Sequence, residues 1–369
     1  LCLLRFFSFW AYHGAYRDED AGWEPAGNFG DSRAILGLCG TITGDCFNCH
    51  IFFTVSALGI AASSKVLWEM GEFWRSDEGY VWFSEFGGQS YHTLTEDFQV
   101  WLRGCWYERY GQIIGNREIR GLVRELETWE LPTYPVYRRV GVQDGQLYLD
   151  LGQDVVVMGD GDWWVIPRRD CPVRFAKAEE CLPTPQPGGD LSELQRILVL
   201  SDQNFSQLLP WILSCFQPGG GKQILVLRGP AGSGKSTMAW LLHRLIDPNP
   251  IFLLDEVPSA KLLNCLANQH WLLSYDHISS LSRPQRERVL GLATGRSPRP
   301  QILTTLYWEP KGSLFSRHAL FLDLKRLDPS VRRAEMDIEG QLWEQAPYLL
   351  GAILDLLCKK TTGWEPHPC

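Results

Sequence analysis

Ile224-Leu-Val-Leu-Arg228 runs directly into Gly229-Pro-Ala-Gly-Ser-Gly-Lys-Ser236, and Thr237 to Leu245 continues as a strongly helical stretch. The octet satisfies GxxxxGK[ST] between an apolar strand and a helix, the context that gives the pattern its meaning. Glycines let successive backbone N–H groups curl toward phosphate oxygens. The helix start adds the positive end of its dipole. A lysine at position 235 reaches the β- and γ-phosphates, and the Ser236 hydroxyl is a Mg²⁺ ligand. Gly229, Pro230, Ala231, Gly232, Ser233, Gly234, Lys235, Ser236 and Thr237 are therefore the expected nucleotide-binding residues, with ATP and Mg²⁺ as the expected cofactors.

Such a site needs a carboxylate at the end of a neighbouring strand. Ile251-Phe-Leu-Leu-Asp255-Glu256 and Trp271-Leu-Leu-Ser-Tyr-Asp276-His277 both offer one. The helix after the loop ends near Ile246, so 251–254 is the next strand, 261–268 a helix, and 271–275 the third strand. Gln301-Ile-Leu-Thr-Thr305 and Ala319-Leu-Phe-Leu-Asp-Leu324 supply a fourth and a fifth, and 339–357 closes the chain as one or two helices. In AAA+-like ATPases, which this order resembles, the carboxylate stands on the third strand, expected beside the phosphate-loop strand. That favours Asp276 as the second metal ligand, with Asp255 kept as the rival. His277 would then polarise water or merely end a strand, and Glu256 is a second source of a carboxylate.

Taken together, these residues resemble bacterial and phage-type ATP-binding proteins related to the superfamily 3 primase-helicases of phages and plasmids. The resemblance covers about residues 70–357. It rests on Gly145-Gln-Leu-Tyr-Leu-Asp-Leu-Gly152, Pro172-Val-Arg-Phe175, Leu182-Pro183 with Pro187-Gly-Gly189, the phosphate loop, 271–280, Leu292-Ala-Thr-Gly295, 314–322 and 342–356. It implies a catalytic set of Lys235, Asp276, His277, Thr304 and Arg317. Thr304 falls where the family carries an Asn sensor, and His277 where it usually carries Asn. Arg317 falls on an arginine that reaches a neighbouring subunit's nucleotide. The implied partners are further copies of the chain in a ring, and DNA. The chain departs from the family at Arg296-Ser-Pro-Arg-Pro300, where relatives carry a longer segment resembling a DNA-gripping hairpin. That shortening favours a non-translocating ATP switch as the alternative, ahead of a P-loop kinase. Arg283, Arg286, Arg288, Arg296 and Arg299 remain candidates for phosphate contacts or an ordinary solvated face.

Working outward, Pro183-Thr-Pro-Gln-Pro-Gly-Gly189 is the best linker. It divides an α+β accessory domain at 68–185, for which a winged-helix module is one reading, from a P-loop domain at 186–369. The expected fold is thus α/β, with a five-stranded parallel AAA+-like sheet. Asp144-Gly145 and Gly159-Asp-Gly161 between alternating stretches predict hairpins, as does Gly87-Gly88. Helices are predicted at 95–110 and from an Asn116 cap. Residues 1–67 take no assignment.

The 369 residues are 45% hydrophobic, too apolar for a disordered chain, and no apolar run is long enough to span a membrane. With 35 basic and 43 acidic side chains the net charge is −8, which excludes a wholesale basic coat for nucleic acid but not a local channel. Eleven cysteines, mostly single within apolar runs, point to the cytoplasm. Cys46-Phe-Asn-Cys49-His50 spells a haem-attachment pattern and, with Cys39, offers zinc ligand types. The 16 tryptophans are expected in the core, with Trp101, Trp106, Trp163 and Trp164 as base-stacking candidates.

Overall fold

The computed structural model describes residues 67, 69–86, 88–250, 253–308 and 313–361. All of them fall within one compact unit. The Cys39, Cys46, Cys49 and His50 set lies outside the described residues.

The N-terminal layer is built by β1 (Gly71–Ser76), β2 (Val81–Glu85) and β3 (Ser90–His92), paired antiparallel. Two helices cover it, α1 (Glu96–Tyr110) and α2 (Asn116–Leu126). The Thr95 hydroxyl caps α1. Gly115, not Asn116, occupies the cap of α2; Asn116 is already helical and its side chain accepts from Arg103. Phe73, Phe83, Phe98, Leu102, Ile119 and Leu122 form the shared core. Thr133–Tyr134 adds β4 parallel to β1.

A meander follows: β5 (Val140–Gln143), β6 (Gln146–Asp150), β7 (Asp154–Gly159) and β8 (Asp162–Pro167). Two of its turns are Asp-Gly pairs, at 144–145 and 160–161. All four of those residues have positive φ, the backbone that a two-residue hairpin needs to match strand twist. The meander shares a core with the C-terminal half rather than with α1 and α2. These hairpins are therefore not wings on a helical pair, and the winged-helix reading does not hold.

Next come α3 (Leu191–Leu198), α4 (Asp202–Cys215), β9 (Ile224–Arg228), α5 (Lys235–Ile246), α6 (Ala260–Gln269), β10 (Leu273–Tyr275), α7 (Arg283–Thr294), β11 (Gln301–Thr305), α8 (Ser313–Arg317), β12 (Ala319–Asp323) and the long α9 (Glu335–Thr361). Four strands form a parallel sheet in the order β10-β11-β9-β12. Of the expected fifth strand at 251–254, residues 251 and 252 lie outside the described ones; Leu254 makes a parallel bridge to Tyr275, its N–H donating to the Ser274 carbonyl at 2.9 Å and its carbonyl accepting from the Asp276 N–H at 2.8 Å. The Asp247 carboxylate takes the N–H groups of Trp271 and Leu272, at 2.7 and 3.0 Å, just ahead of β10.

The expected linker 183–189 is docked. Gln186 N–H donates to the Pro347 carbonyl at 2.9 Å. A Cβ on Gly189 would stand 1.9 Å from the Tyr348 oxygen, and one on Gly351 1.9 Å from the Gln186 oxygen. Only two glycines allow this backbone-to-helix approach, so here proline and glycine mark close packing on α9 rather than a free hinge.

Candidate functional site

The site lies where the parallel strands end. β9 is buried up to Arg228, and the chain then turns through Gly229, Gly232 and Gly234, all at positive φ, into α5. Gly232 and Gly234 at +76° and +79° adopt backbone that a side chain disfavours. Lys235, 8% exposed, folds back over this loop. Its Nζ donates to the Gly229 and Pro230 carbonyls at 2.7 and 2.9 Å. Burial lowers its pKa, partly opposed by the Asp276 charge.

One residue on, Ser236 Oγ donates to Asp276 Oδ1 at 2.9 Å. Asp276 follows β10 directly and is 5% exposed. The expectation that β10 would lie beside β9 is wrong, because β11 stands between them. Thr304 of β11 spans that gap. Its buried hydroxyl donates to Asp276 Oδ1 and accepts from His277 N–H at 3.0 Å. A relay thus runs from the His277 amide through Thr304 to the carboxylate that Ser236 also binds. His277 sits at φ +55°, which turns its imidazole outward. That ring is 76% exposed, with Nδ1 3.1 Å from Asp276 Oδ2. Asp255 and Glu256 are both exposed.

A cavity of about 1570 Å³ opens over the loop. Residues 231–238, His277 and Thr304 line it on one side, and Leu198, Val199, Leu327, Val331 and Ile338 give it an apolar wall. A hydroxyl paired with a carboxylate is a hard-oxygen donor set that suits Mg²⁺, which takes one or two protein ligands and completes its shell with phosphates and water. Among the described residues no cluster of three or more His, Cys, Asp or Glu forms a metal cage.

The segment after β12 was missed by sequence reasoning. Leu324 N–H donates to the Arg228 carbonyl at 2.7 Å and Leu327 N–H to the Gly232 carbonyl at 3.1 Å, so residues 324–332 strap the loop. Arg332 Nη2 would lie 2.8 Å from a Cβ on Gly232, and Arg326 Nε 3.9 Å. Lys325, Arg326, Arg332 and Arg333 all line the cavity. The signal was present as the basic run Lys325-Arg-Leu-Asp-Pro-Ser-Val-Arg-Arg333.

Arg317 is exposed at the end of α8 and does not line the cavity. Of the other arginines, Arg299 is buried and donates to the Ala267 carbonyl at 3.0 Å. Arg283 pairs with Glu287 at 2.8 Å, and Arg286 donates to the Leu281 carbonyl. Trp101 and Trp163 are committed to Glu85 and Asp355 by indole hydrogen bonds of 2.6 and 2.7 Å. Trp106 packs against the α1–α2 core, whereas Trp164 is 40% exposed.

No family model matches the chain, and no curated protein matches it. Among solved structures it is similar to the apo C-terminal region of NrS-1, at 12% identity over 82% of this chain and 74% of that one, with a TM-score of 0.43. It is also similar to JCV helicase, at 15% identity over 44% of this chain and 53% of that one, with a TM-score of 0.29. At such identities the functional reading has to come from the residues. No helix among the described residues is long and apolar enough to cross a membrane.

Proposed function

We propose that the chain binds Mg²⁺–ATP on the 229–237 loop and hydrolyses it, as a helicase-like P-loop ATPase of a phage or mobile element. The observation that carries this reading is the Ser236–Asp276 hydrogen bond, with Lys235 and Ser236 lining a cavity large enough for a nucleotide. The backbone N–H groups of the loop and the N-terminus of α5 would hold the phosphates. Lys235 would exchange its carbonyl partners for phosphate oxygens. Ser236 and Asp276 would hold the metal, Ser236 directly and Asp276 directly or through water. Bound Mg²⁺ supplies charge neutralisation on the transferred phosphoryl group. Thr304 keeps the Asp276 carboxylate oriented, and His277, exposed to the cavity, is the group placed to contact attacking water. Arg326 and Arg332 add positive charge from within the same chain. Arg317, pointing away, would serve a neighbouring copy in a ring.

Arg299 favours a second reading, the non-translocating ATP switch. With its guanidinium spent on backbone carbonyls it is withdrawn from DNA, and it belongs to the segment that is already short. ATP turnover measured with and without single-stranded DNA separates the two readings. Stimulation by DNA supports the motor, and a DNA-independent rate supports the switch. Lys235→Ala should abolish turnover and weaken ATP binding; unchanged turnover in that variant removes the ATPase reading altogether.

A further inference from the structure

Away from the nucleotide cavity, the outer side of the α1–α2 hairpin gathers arginines in an otherwise acidic chain. Arg117, Arg120 and Arg124 of α2 are all exposed. At 3.6 residues per turn they fall within an arc of about 60°, on the side away from the buried Ile119, Leu122 and Leu126. Arg103 of α1 joins them. Asn116 accepts from Arg103 through its side chain and from Arg120 Nε through its carbonyl, the latter at 3.2 Å. One residue thus draws guanidinium groups of both helices together. One and two turns beyond Arg103, Tyr107 and Tyr110 continue the same side of α1, 58% and 42% exposed. The Tyr110 ring is braced by Trp106, with centroids 4.5 Å apart.

An arginine row is often no more than a solvated face, and such faces carry carboxylates at ion-pairing distance. Arg109, Arg196 and Arg283 follow that rule, held by Glu69, Glu193 and Glu287. Among the described residues none of the four arginines of this row has a carboxylate partner. Of the nearby acids, Glu118 turns over Gly115, its Oε2 2.5 Å from where a Cβ there would stand. Glu125 is half-buried on the far flank of Gly121, and Glu96 and Glu127 stand at the outer ends of the hairpin. A guanidinium fork matches phosphate oxygens in pairs, and an exposed ring offers its face to an unpaired base. Lipid fits poorly. A helix lying on a membrane inserts its apolar side, and that side of α2 is buried in the core it shares with α1 and the sheet.

We propose that this face binds single-stranded nucleic acid, with phosphates on Arg103, Arg117, Arg120 and Arg124 and bases stacked on Tyr107 and Tyr110. The α2 arginines extend over about 10 Å of helix, so they meet more than one phosphate of a strand. The site uses neither the phosphate loop nor the short 296–300 segment, and it does not rest on ATP hydrolysis. It gives even a non-translocating ATPase a hold on a polynucleotide.

Fluorescence anisotropy of a labelled single-stranded oligodeoxynucleotide, titrated with the full chain without nucleotide, tests this. The triple variant Arg117→Gln, Arg120→Gln, Arg124→Gln should bind at least tenfold more weakly. Its plot of log affinity against log salt should be flatter by about 2, since each phosphate contact on a single strand contributes about 0.7. Tyr107→Ala should weaken single-strand binding by about tenfold and leave binding of a duplex unchanged, because paired bases present no free face. All these positions are on the surface, so both variants should keep the unfolding midpoint of the unaltered chain. Lys235→Ala should bind the strand as the unaltered chain does, which separates this site from the ATPase reading. Full binding by both the triple variant and Tyr107→Ala overturns the site, as does a loss confined to Arg283→Gln and Arg286→Gln. Binding to phosphatidylserine vesicles with none to the oligonucleotide overturns it too.

Discussion

The parallel sheet β9–β12 and the meander β5–β8 sit in one continuous core, yet they use their side chains differently. β9 and β11 are buried almost end to end, as strands covered on both faces must be. In the meander β6 and β7 are buried as fully, while the edge strand β8 alternates between exposed and half-buried positions. A strand with no free face can present chemistry only at its ends, and Asp276, Thr304 and the loop after Arg228 all stand at the carboxyl ends of parallel strands. The meander makes two of its three turns through Asp-Gly pairs and spends its inner face on packing. Val140, Leu147, Leu149 and Val156 join Leu350 and Leu354 of α9 in the same cluster as Leu225 and Leu227. One sheet is organised around the candidate site and the other around support for α9.

The largest expected effects fall on the parallel sheet. Asp276→Ala should cut turnover far more than Asp255→Ala, since Asp276 meets Ser236 while Asp255 is exposed. Equal losses would break the assignment of chemistry to strand ends. Arg317→Ala should still bind ATP but hydrolyse it about 10³-fold more slowly, if the arginine acts on a neighbour's nucleotide. Mixing Arg317→Ala with Lys235→Ala protein should then restore activity, because an intact loop in a mixed ring can meet an intact arginine. Loss without rescue would instead place the transition-state arginine in the same chain and turn attention to Arg326 and Arg332.

Most of the candidate site's geometry was legible because it is local. The octet 229–236 carries its glycines, lysine and serine in consecutive positions. Asp276 was legible by strand order, although the stated reason for choosing it was wrong: adjacency to β9 belongs to β11, and Thr304 carries the connection. The strap 324–332 was not legible, since its value depends on where β12 ends relative to Gly232, a long-range fact. The docking of 183–189 was misjudged for a related reason. Proline and glycine signal a break in regular structure, but composition does not distinguish a free linker from one pressed against a helix.

The next effect is on stability and tests the part of α5 away from the phosphate loop. His243 is fully buried, with Nδ1 2.9 Å from Ser274 Oγ and Nε2 2.8 Å from Asn249 Nδ2. An amide nitrogen donating to Nε2 leaves the proton on Nδ1, so the ring is neutral. Burial, only partly opposed by Asp247, holds its pKa down to about 4. Between that value and the ordinary 6.5 the unfolded chain binds a proton that the folded one refuses. Stability should therefore be full above pH 6.5 and fall as the pH drops through the window, by an amount on the order of 3 kcal/mol for this residue alone. His92, also lowered to about 4, acts in the same direction. Denaturant midpoints recorded from pH 7 to pH 4 check this; a flat profile would mean that His243 is protonated in the fold.

The smallest expected effect lies at the seam. Gly351 of α9 faces the Gln186 carbonyl, and an added Cβ would stand 1.9 Å from that oxygen and 2.7 Å from its carbon. Both are backbone atoms of a segment held by the Gln186–Pro347 hydrogen bond, so neither can rotate aside. Alanine in a helix interior is otherwise worth up to about 1 kcal/mol over glycine, whereas overpacking typically costs about 1–3 kcal/mol. Here the contact is with fixed backbone, and the cost should win. Gly351→Ala should lower the unfolding midpoint by several degrees. ATP turnover per folded molecule should hold, because the seam lies apart from Ser236 and Asp276. Gly340→Ala is the control. It sits in the same helix with nothing within 4 Å of its Cβ position, so the helix preference acts alone and the midpoint should rise slightly. A rise in both variants would mean that 183–189 peels off α9 without cost, which would return it to the free linker that its composition predicts.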